Sequence, residues 1–269
     1  MTLAGGTGWL LAAAGDGYAQ RGPLIADRPD FTEAPQTVGR GVFQLEFGYT
    51  LEYDELGDRS NQAGGDDAAW THSLGEPLLR AGVFADWLEL RLGLSPVSQR
   101  VGVGGRSLSE TGMEDLYLGI KLALTGQDGA RPAIALLPQI TVPTGNEAFS
   151  SDRNLPGVNL IYAWDLSEDV SLAGSTQVNR AVDESGSSYA EWAQSLATGL
   201  GIGSRMGLYA EWFAFFHAES GGARAEHYAN GGLTWSANDD VQWDIRAGVG
   251  LNEAATDFFL GTGLALRIP

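Results

Sequence analysis

The chain has 269 residues, no cysteine and a formal net charge of −18 from 34 acidic and 16 basic residues. Its apolar residues never run for the ~18 positions that a membrane-spanning helix needs, so a helical membrane protein is excluded. The excess of negative charge argues against nucleic acid as a partner, since its phosphates would be repelled. The absence of cysteine excludes disulfides and thiolate metal sites.

Residues 1–19 have some features of a signal peptide. An apolar stretch runs from Trp9 to Ala14, and Gly17-Tyr18-Ala19 offers small residues for cleavage. No basic residue precedes the apolar stretch, which departs from the usual pattern. We expect an atypical signal peptide cleaved near Ala19; the alternative is that these residues are not a signal.

Residues 20–41 form an N-terminal segment that precedes the first predicted strand. Three prolines exclude a long helix or a regular strand here: Pro23, Pro29 and Pro35. Two interpretations remain open. The segment is either a disordered periplasmic leader or a plug in the barrel that the following residues predict. The plug candidates are Arg28, Asp30 and Phe31, with Arg28 pairing with Glu46 or Glu89 and Phe31 wedged in the opening.

From residue 42 onward the dominant pattern is alternation of apolar and polar residues over stretches of about ten. The clearest case is Val241–Leu251, where one set is Val241, Trp243, Ile245, Ala247, Val249 and Leu251 and the other is Gln242, Asp244, Arg246, Gly248 and Gly250. Period two places the two sets on opposite faces of a β-strand, whereas a helix would scatter them.

The same pattern predicts about twelve strands in residues 42–269, with no sign of a second domain. They are expected near 42–53, 71–83, 87–97, 113–124, 132–142, 156–165, 170–180, 190–202, 205–217, 223–236, 241–250 and 257–268. Longer connections such as 54–70 and 98–112 alternate with short ones such as 203–204. This arrangement predicts an all-β fold, a transmembrane antiparallel up-and-down β-barrel in the outer membrane of a Gram-negative-type envelope, with both termini periplasmic.

A soluble β-sandwich or lipocalin-like barrel is the alternative, because it also alternates, with its apolar face buried. Two features favour the membrane. The apolar sets extend over about ten residues, near the ~9–11 that a tilted strand needs to cross a bilayer. Aromatic residues also lie near predicted strand ends, as in a membrane-interface girdle: Trp70, Trp87, Tyr162, Trp164, Trp192, Trp235 and Trp243. Trp212 lies in mid-strand and does not fit.

If the apolar residues face lipid, the alternating polar residues line the lumen. The charged candidates are Glu46, Glu52, Arg80, Glu89, Arg91, Asp115, Lys121, Glu191, Glu211, Arg224, Glu226, Asp244 and Arg246. One interpretation is that these charges pair and close the lumen. The other is that opposed acidic and basic rows create a transverse field that selects small polar or charged solutes. A barrel of this size is either filled or narrowly open, so both interpretations of the lumen charges remain open.

No pattern predicts an enzyme, a metal or a cofactor. The three histidines, His72, His217 and His227, show no legible Ser/His/Asp spacing and are expected in loops or in the girdle. The glycines of Gly199-Leu200-Gly201-Ile202-Gly203 resemble part of a nucleotide-binding motif, but no helix follows them. We therefore predict no catalytic residue and no cofactor.

The stretch Asp27-Arg28-Pro29-Asp30-Phe31-Thr32-Glu33-Ala34-Pro35, followed by Gly41–Gly48, resembles a family of outer-membrane transporter-like barrels named for the meta-pathway of phenol degradation. Further stretches that carry the resemblance are Leu79–Gly82, Leu88–Gly93, Gly112–Lys121 and Pro138–Gly145. The resemblance covers residues 27–145, and the second half matches only in pattern. It implies an outer-membrane location and solute uptake, with aromatic compounds as candidates. Such barrels usually end on an aromatic residue that the assembly machinery reads, and Pro269 departs from this.

The predicted function is therefore passive passage of small solutes, including aromatic compounds, through the outer membrane. The alternative is a closed structural or surface-binding barrel without transport. The predicted partners are outer-membrane lipid, a small-molecule solute and the barrel-assembly machinery, with no nucleic acid.

Overall fold

The computed structural model describes residues 22–55, 68–103, 106–183, 186–218 and 224–268. The predicted signal peptide at 1–19 lies outside the described residues. Within the described ranges the chain forms fourteen strands: β1 (Phe43–Glu55), β2 (Ala68–Ala81), β3 (Leu88–Gly93), β4 (Pro96–Val103), β5 (Arg106–Met113), β6 (Leu116–Thr125), β7 (Ala133–Val142), β8 (Leu155–Asp165), β9 (Val170–Val182), β10 (Ser188–Ile202), β11 (Met206–Ala218), β12 (Glu226–Asn238), β13 (Val241–Gly250) and β14 (Phe258–Ile268). None of the described residues belongs to a helix long and apolar enough to span a membrane.

The strands form one closed antiparallel barrel. Each strand from β6 to β14 pairs with its neighbour in sequence, and β14 returns to β1 in a register that runs from Phe43 opposite Ile268 to Tyr53 opposite Phe258. β1 also pairs with β2, which completes the ring. Closure gives β1 and β14 a partner on each side, as a barrel in lipid requires, whereas among the described strands β5 at the long-loop end pairs only with β4.

Two strands of the barrel wall are interrupted. β3 and β4 both pair with β2, β3 pairs onward with β6, and β4 pairs onward with β5. β3 and β4 therefore act as one wall strand broken at Leu94-Ser95, and β5 and β6 as another broken at Glu114-Asp115. Counted this way the wall has twelve strands, which confirms the predicted number and fold class.

The prediction that residues 98–112 form a loop is wrong, because most of them lie in β4 and β5. These two strands extend the wall as a hairpin at the long-loop end of the barrel. Ser98, Arg100 and Thr111 lie on the face opposite the buried Val97, so the outer face of this hairpin is polar. A strand that reaches beyond the hydrocarbon layer needs no apolar outer residues, so the alternation used to find strands is missing here.

The wall is polar inside and apolar outside, the reverse of a soluble protein. In β13 the exposed fractions of Trp243, Ile245 and Val249 are 42%, 42% and 49%, whereas those of Gln242 and Asp244 are 5% and 0%. Large apolar side chains thus face outward at every second position, where lipid would cover them, and their polar neighbours point into the lumen.

A charge placed on the outer face tests this orientation. We expect Ile245→Arg to lower the free energy of unfolding from a bilayer by ~2–4 kcal/mol, since it puts a guanidinium into hydrocarbon near mid-strand. The matched control Ile245→Leu keeps the outer face apolar and is expected to change little. Urea unfolding in lipid vesicles, followed by tryptophan fluorescence, measures both variants. Equal stability of the arginine variant and the wild type would mean that the outer face does not contact lipid.

Candidate functional site: the charged lumen and the N-terminal segment

Residues 22–42, called here the inner segment, lie inside the barrel. Both ends of the segment are held at the short-turn end of the wall: Leu24 N donates to Asp239 O at 2.7 Å, and Gly41 N donates to Gly82 O at 2.6 Å. Between these points the segment belongs to none of the wall strands and bonds to inward-facing side chains. The chain therefore enters the lumen, turns, and returns to the same end before β1 begins.

Asp27 is the centre of the contacts between the inner segment and the wall. Its carboxylate lies 3.0 Å from Lys121 Nζ, 2.8 Å from Arg91 Nη2 and 3.2 Å from Arg80 Nη1. Burial acts to raise the pKa of Asp27, but Arg80, Lys121 and Arg91 outweigh it, and the net pKa is below its ordinary value. Asp27 thus stays ionised and neutralises a cluster of cations from β2, β3 and β6.

Two wall carboxylates complete this network. Arg80 donates to Glu46 at 2.9 Å and to both oxygens of Glu89 at 2.8 and 3.0 Å. Glu46 also accepts from the Asp27 backbone N at 3.1 Å, and Glu89 accepts from Val38 N at 2.8 Å. Wall charges therefore bond both to each other and to the backbone of the inner segment, which satisfies groups that burial would otherwise penalise.

Arg28 reaches the neighbouring part of the wall, formed by β13, β14, β1 and β2. Its guanidinium lies 2.6 Å from Glu76 and 3.4 Å from Asp244. Gly48 and Gly263 are register partners on β1 and β14, and a Cβ at either position would collide with this guanidinium. The paired glycines thus leave a slot in the wall that an arginine side chain fills. Arg28 was predicted to pair with Glu46 or Glu89; only its backbone N contacts Glu46.

Glu211 on β11 anchors the innermost turn of the segment. It accepts hydrogen bonds from Phe31 N at 2.8 Å, Thr32 N at 2.7 Å and Thr32 Oγ1 at 2.6 Å. Thr32 Oγ1 also lies 2.6 Å from Ser195 Oγ on β10.

Burial and the neighbouring Glu211 raise the pKa of Asp30 well above its ordinary value, which favours a protonated carboxyl beside the Glu211 carboxylate.

An aromatic cluster surrounds the tip of the inner segment. Phe31 stacks on Phe213 with ring centroids 4.8 Å apart, and Phe213 stacks on Tyr228 at 4.7 Å. The other rings of the cluster are Phe215 and Phe259. Stacked and edge-on rings add to the energy of apolar burial, so Phe31 is packed as well as hydrogen-bonded in the lumen.

Arg246 connects the aromatic cluster to the segment. It donates to Pro29 O at 2.9 Å and to Thr50 Oγ1 at 2.8 Å, and its guanidinium carbon lies 5.5 Å from the Phe259 ring centroid. The cation therefore lies against an aromatic face, where the ring quadrupole attracts it.

A second polar cluster lies in the lumen near the long-loop end. His217 is within 3.2 Å of Glu226 and 3.4 Å of Glu191, and Tyr228 donates to Glu226 at 2.8 Å. His217 was expected in a loop or in the girdle; it lies instead on the inner face of β11, between two carboxylates from β10 and β12. Spacing along one strand could not show this, because the partners belong to neighbouring strands.

Two predicted lumen residues lie elsewhere. Arg224 precedes β12, is exposed, and pairs with Glu253 at 3.2 Å. Asp115 lies in the break between β5 and β6, where its carboxylate accepts from the backbone N of Thr144, Gly145 and Ser151. Arg224 therefore belongs to a loop, and Asp115 organises the connection after β7.

The remaining predicted lumen residues are placed on the inner face or bonded to it: Glu46, Glu52, Arg80, Glu89, Arg91, Lys121, Glu191, Glu211, Glu226, Asp244 and Arg246. Sequence reasoning missed Asp27, Glu33 and Glu76 as site residues. Glu33 lies 2.5 Å from Arg91. The dense run of charged residues around Arg28 could have identified Asp27 and Glu33 as site residues, whereas no sequence feature distinguished Glu76.

Removing the Asp27 carboxylate tests the network. We expect Asp27→Asn to release the inner segment, because loss of one partner from a buried ion pair costs ~3–5 kcal/mol. Hydrogen–deuterium exchange should then rise in residues 22–42 and stay low in β8–β10. The control Asp128→Asn removes an exposed carboxylate that pairs with Arg131 in a turn and should change neither region. Unchanged protection of residues 22–42 in Asp27→Asn would contradict a network centred on this residue.

Comparison with known proteins agrees with this architecture. An outer membrane channel from Pseudomonas putida F1 superimposes with a TM-score of 0.68 at 16% identity, over 89% of this chain and 99% of that chain. The NanC porin gives 0.53 at 11% identity, over 84% and 100%. The KdgM porin in complex with disordered oligogalacturonate gives 0.52 at 8% identity, over 84% and 99%. The fold is thus that of outer-membrane barrels, and the apolar outer face agrees with the predicted location.

Sequence comparison identifies the family. No curated protein sequence matches the chain. The family model described as "Putative MetA-pathway of phenol degradation" matches residues 26–268, which include most of the inner segment and the whole barrel. The chain therefore belongs to this family, as the resemblance of residues 27–145 predicted.

Proposed function

We propose that the protein is a passive channel for small solutes in the outer membrane, with both termini and the short turns in the periplasm. The observation that carries the proposal is the inner segment: a piece of chain that belongs to no wall strand occupies a lumen lined by charged side chains. The family and the fold shared with an outer membrane channel and two porins support it.

The inner segment would act as a plug. Arg80, Lys121, Glu46 and Glu89 are 0% exposed while the segment is in place. At this level the polar side chains are packed together, which leaves them no contact with a solute. Passage therefore requires that the segment move, at least at its tip. The same packing favours the second candidate function, a permanently closed structural or surface-binding barrel.

An engineered disulfide distinguishes the two functions. The chain has no cysteine, so Thr32→Cys with Ser195→Cys would introduce the only possible disulfide, between positions whose hydroxyl oxygens lie 2.6 Å apart. We expect current through a planar bilayer under reducing conditions and its loss on oxidation, because the tip is then tethered to β10. The control pair Ser175→Cys with Ser195→Cys, whose oxygens are 2.9 Å apart, ties β9 to β10 and leaves the segment free.

Deletion of residues 20–36 provides the complementary measurement. If the segment is a plug, the deletion raises the single-channel conductance while the barrel keeps its heat-resistant mobility on a gel. A protein that inserts but carries no current, either reduced or after the deletion, is a closed barrel and contradicts the channel. Equal current in the reduced and oxidised protein shows instead that solutes pass a stationary segment, and the plug is then wrong.

Aromatic compounds are the solute class that we propose. The family description names phenol degradation, and the lumen offers the rings of Phe31, Phe213 and Tyr228 beside the cation of Arg246. A planar ring can stack in such a cluster, whereas an alicyclic ring of equal size gains no stacking.

Matched solutes test this class. We expect proteoliposomes with wild-type protein to take up benzoate several-fold faster than cyclohexanecarboxylate, on the order of the ~0.5–1.5 kcal/mol that an aromatic pair contributes. In Phe213→Leu, which keeps an apolar side chain but removes the central ring, the two rates should become equal. Equal rates in the wild type would contradict aromatic selectivity without affecting the channel itself.

The proposal assigns no catalytic chemistry to the lumen. Among the described residues, the His72 imidazole bonds to Tyr49, His217 lies between carboxylates, and His227 stacks on Trp212. None of these arrangements activates a serine hydroxyl, as an acyl-transfer triad requires. Insertion by the barrel-assembly machinery, with lipid around the barrel, remains part of the proposal.

A further inference from the structure

Two arginines converge on one serine at the long-loop end of the wall. Arg153, just before β8, donates from Nη1 to Ser188 Oγ at 3.0 Å, and Arg180 of β9 donates from Nη2 to the same oxygen at 3.0 Å. The two guanidinium groups are therefore neighbours, held together by a neutral hydroxyl. Like charges this close repel, and an anion between them would offset that repulsion.

These side chains lie on the outer face of the barrel and not in the lumen. Along β10 the inward residues Ala193 and Ser195 are 1% and 0% exposed, whereas Trp192 is 47% exposed. Arg180 is the register partner of Ala190, which shares the face of Trp192 by strict alternation. The arginine pair thus lies beside an exposed tryptophan, near the strand ends, where a bilayer interface would be.

Within the described ranges, no carboxylate forms an ion pair with either arginine. Among the described residues, none of the Asp or Glu side chains lies within ion-pair distance of Arg153 or Arg180, whereas Arg224 and Arg267 pair with Glu253 and Asp240. In a chain with 34 acidic and 16 basic residues, carboxylates are abundant. An arginine pair without one favours an external anion.

A shallow groove with both apolar and polar lining residues, Asn179 and Tyr189 among the latter, continues from the arginine pair along the outer wall. It has a volume of about 570 Å³, and Arg180 and Ser188 form part of its lining. The rest of its lining includes small apolar side chains, Pro156, Val158, Val178 and Ala190. A hydrocarbon chain fits such a groove, and a headgroup attached to that chain would lie beside the guanidinium groups.

We propose that Arg153, Arg180 and Ser188 bind the phosphate group of a lipid in the outer leaflet, with an acyl chain of that lipid in the groove. Guanidinium groups present planar forks of N–H donors that match phosphate oxygens, and such charge-assisted bonds are stronger than neutral ones. The anion would also remove the repulsion between the two arginines. This site rests on the membrane-spanning barrel of the proposed function but not on transport, so conductance measurements can fail without affecting it.

Lipid binding to the refolded protein in a neutral detergent tests the site. Native mass spectrometry would follow titration with diphosphorylated lipid A and with its dephosphorylated form. We expect the phosphorylated lipid to bind at least about tenfold more tightly, and this preference to disappear in Arg153→Gln/Arg180→Gln, since two charge-assisted contacts are lost. The matched control Arg100→Gln removes an exposed arginine that bonds only to Ser107 among the described side chains, and it should keep the preference.

Two further measurements distinguish a lipid phosphate from free phosphate and from binding by general surface charge. Inorganic phosphate alone should bind far more weakly than the lipid, because it has no acyl chain for the groove; equal affinity would overturn the lipid as the occupant. Equal binding of the two forms of lipid A by the wild type would overturn phosphate recognition. A loss of preference in Arg100→Gln as large as in the double variant would mean that general surface charge, and not this site, is responsible. Heat-dependent gel mobility confirms that each variant is folded.

Discussion

The structure depends on the ion network around Asp27. The wall alone brings three cations, Arg80, Arg91 and Lys121, to one side of the lumen with two carboxylates, Glu46 and Glu89. The inner segment supplies negative charge to these cations with Asp27 and Glu33 and turns its own cation, Arg28, toward Asp244 on the neighbouring strand β13. Segment and wall are therefore electrostatically complementary, and each buries charges that would be costly without the other.

Alternation along the chain predicted the barrel because lipid imposes it. Every wall strand that crosses hydrocarbon needs apolar residues at alternate positions, and β13 shows this as clearly in its burial as in its sequence. Prediction from alternation failed for β4 and β5, because Ser98 and Thr111 face outward at the long-loop end, beyond the apolar part of the outer face. These two strands are joined by backbone pairing and by polar side-chain bonds such as Thr111 Oγ1 to Ser98 Oγ at 2.9 Å, and neither produces an apolar–polar alternation in the sequence.

Alternation also placed most of the charged residues on the inner face but could not say which of them meet. Pairing in the lumen depends on register between distant strands and on the path of the inner segment. Arg28 shows the limit: it reaches Glu76 and Asp244 because Gly48 and Gly263 face each other across β1 and β14. Two glycines 215 positions apart in sequence define that slot, and neither is distinctive among 38 glycines.

If the inner segment left the lumen, it would expose charged side chains to water, whereas removal of part of a soluble protein's core exposes apolar side chains. Arg80 keeps its bonds to Glu46 and Glu89 without the segment, because all three belong to the wall. Lys121 and Arg91 would lose Asp27, but water entering the lumen could solvate them, whereas charges left in an apolar core have no such replacement. The lipid-facing surface is untouched by the movement. Charged contacts with the wall can therefore hold the inner segment in place without making the wall depend on it for folding, because water can replace those contacts.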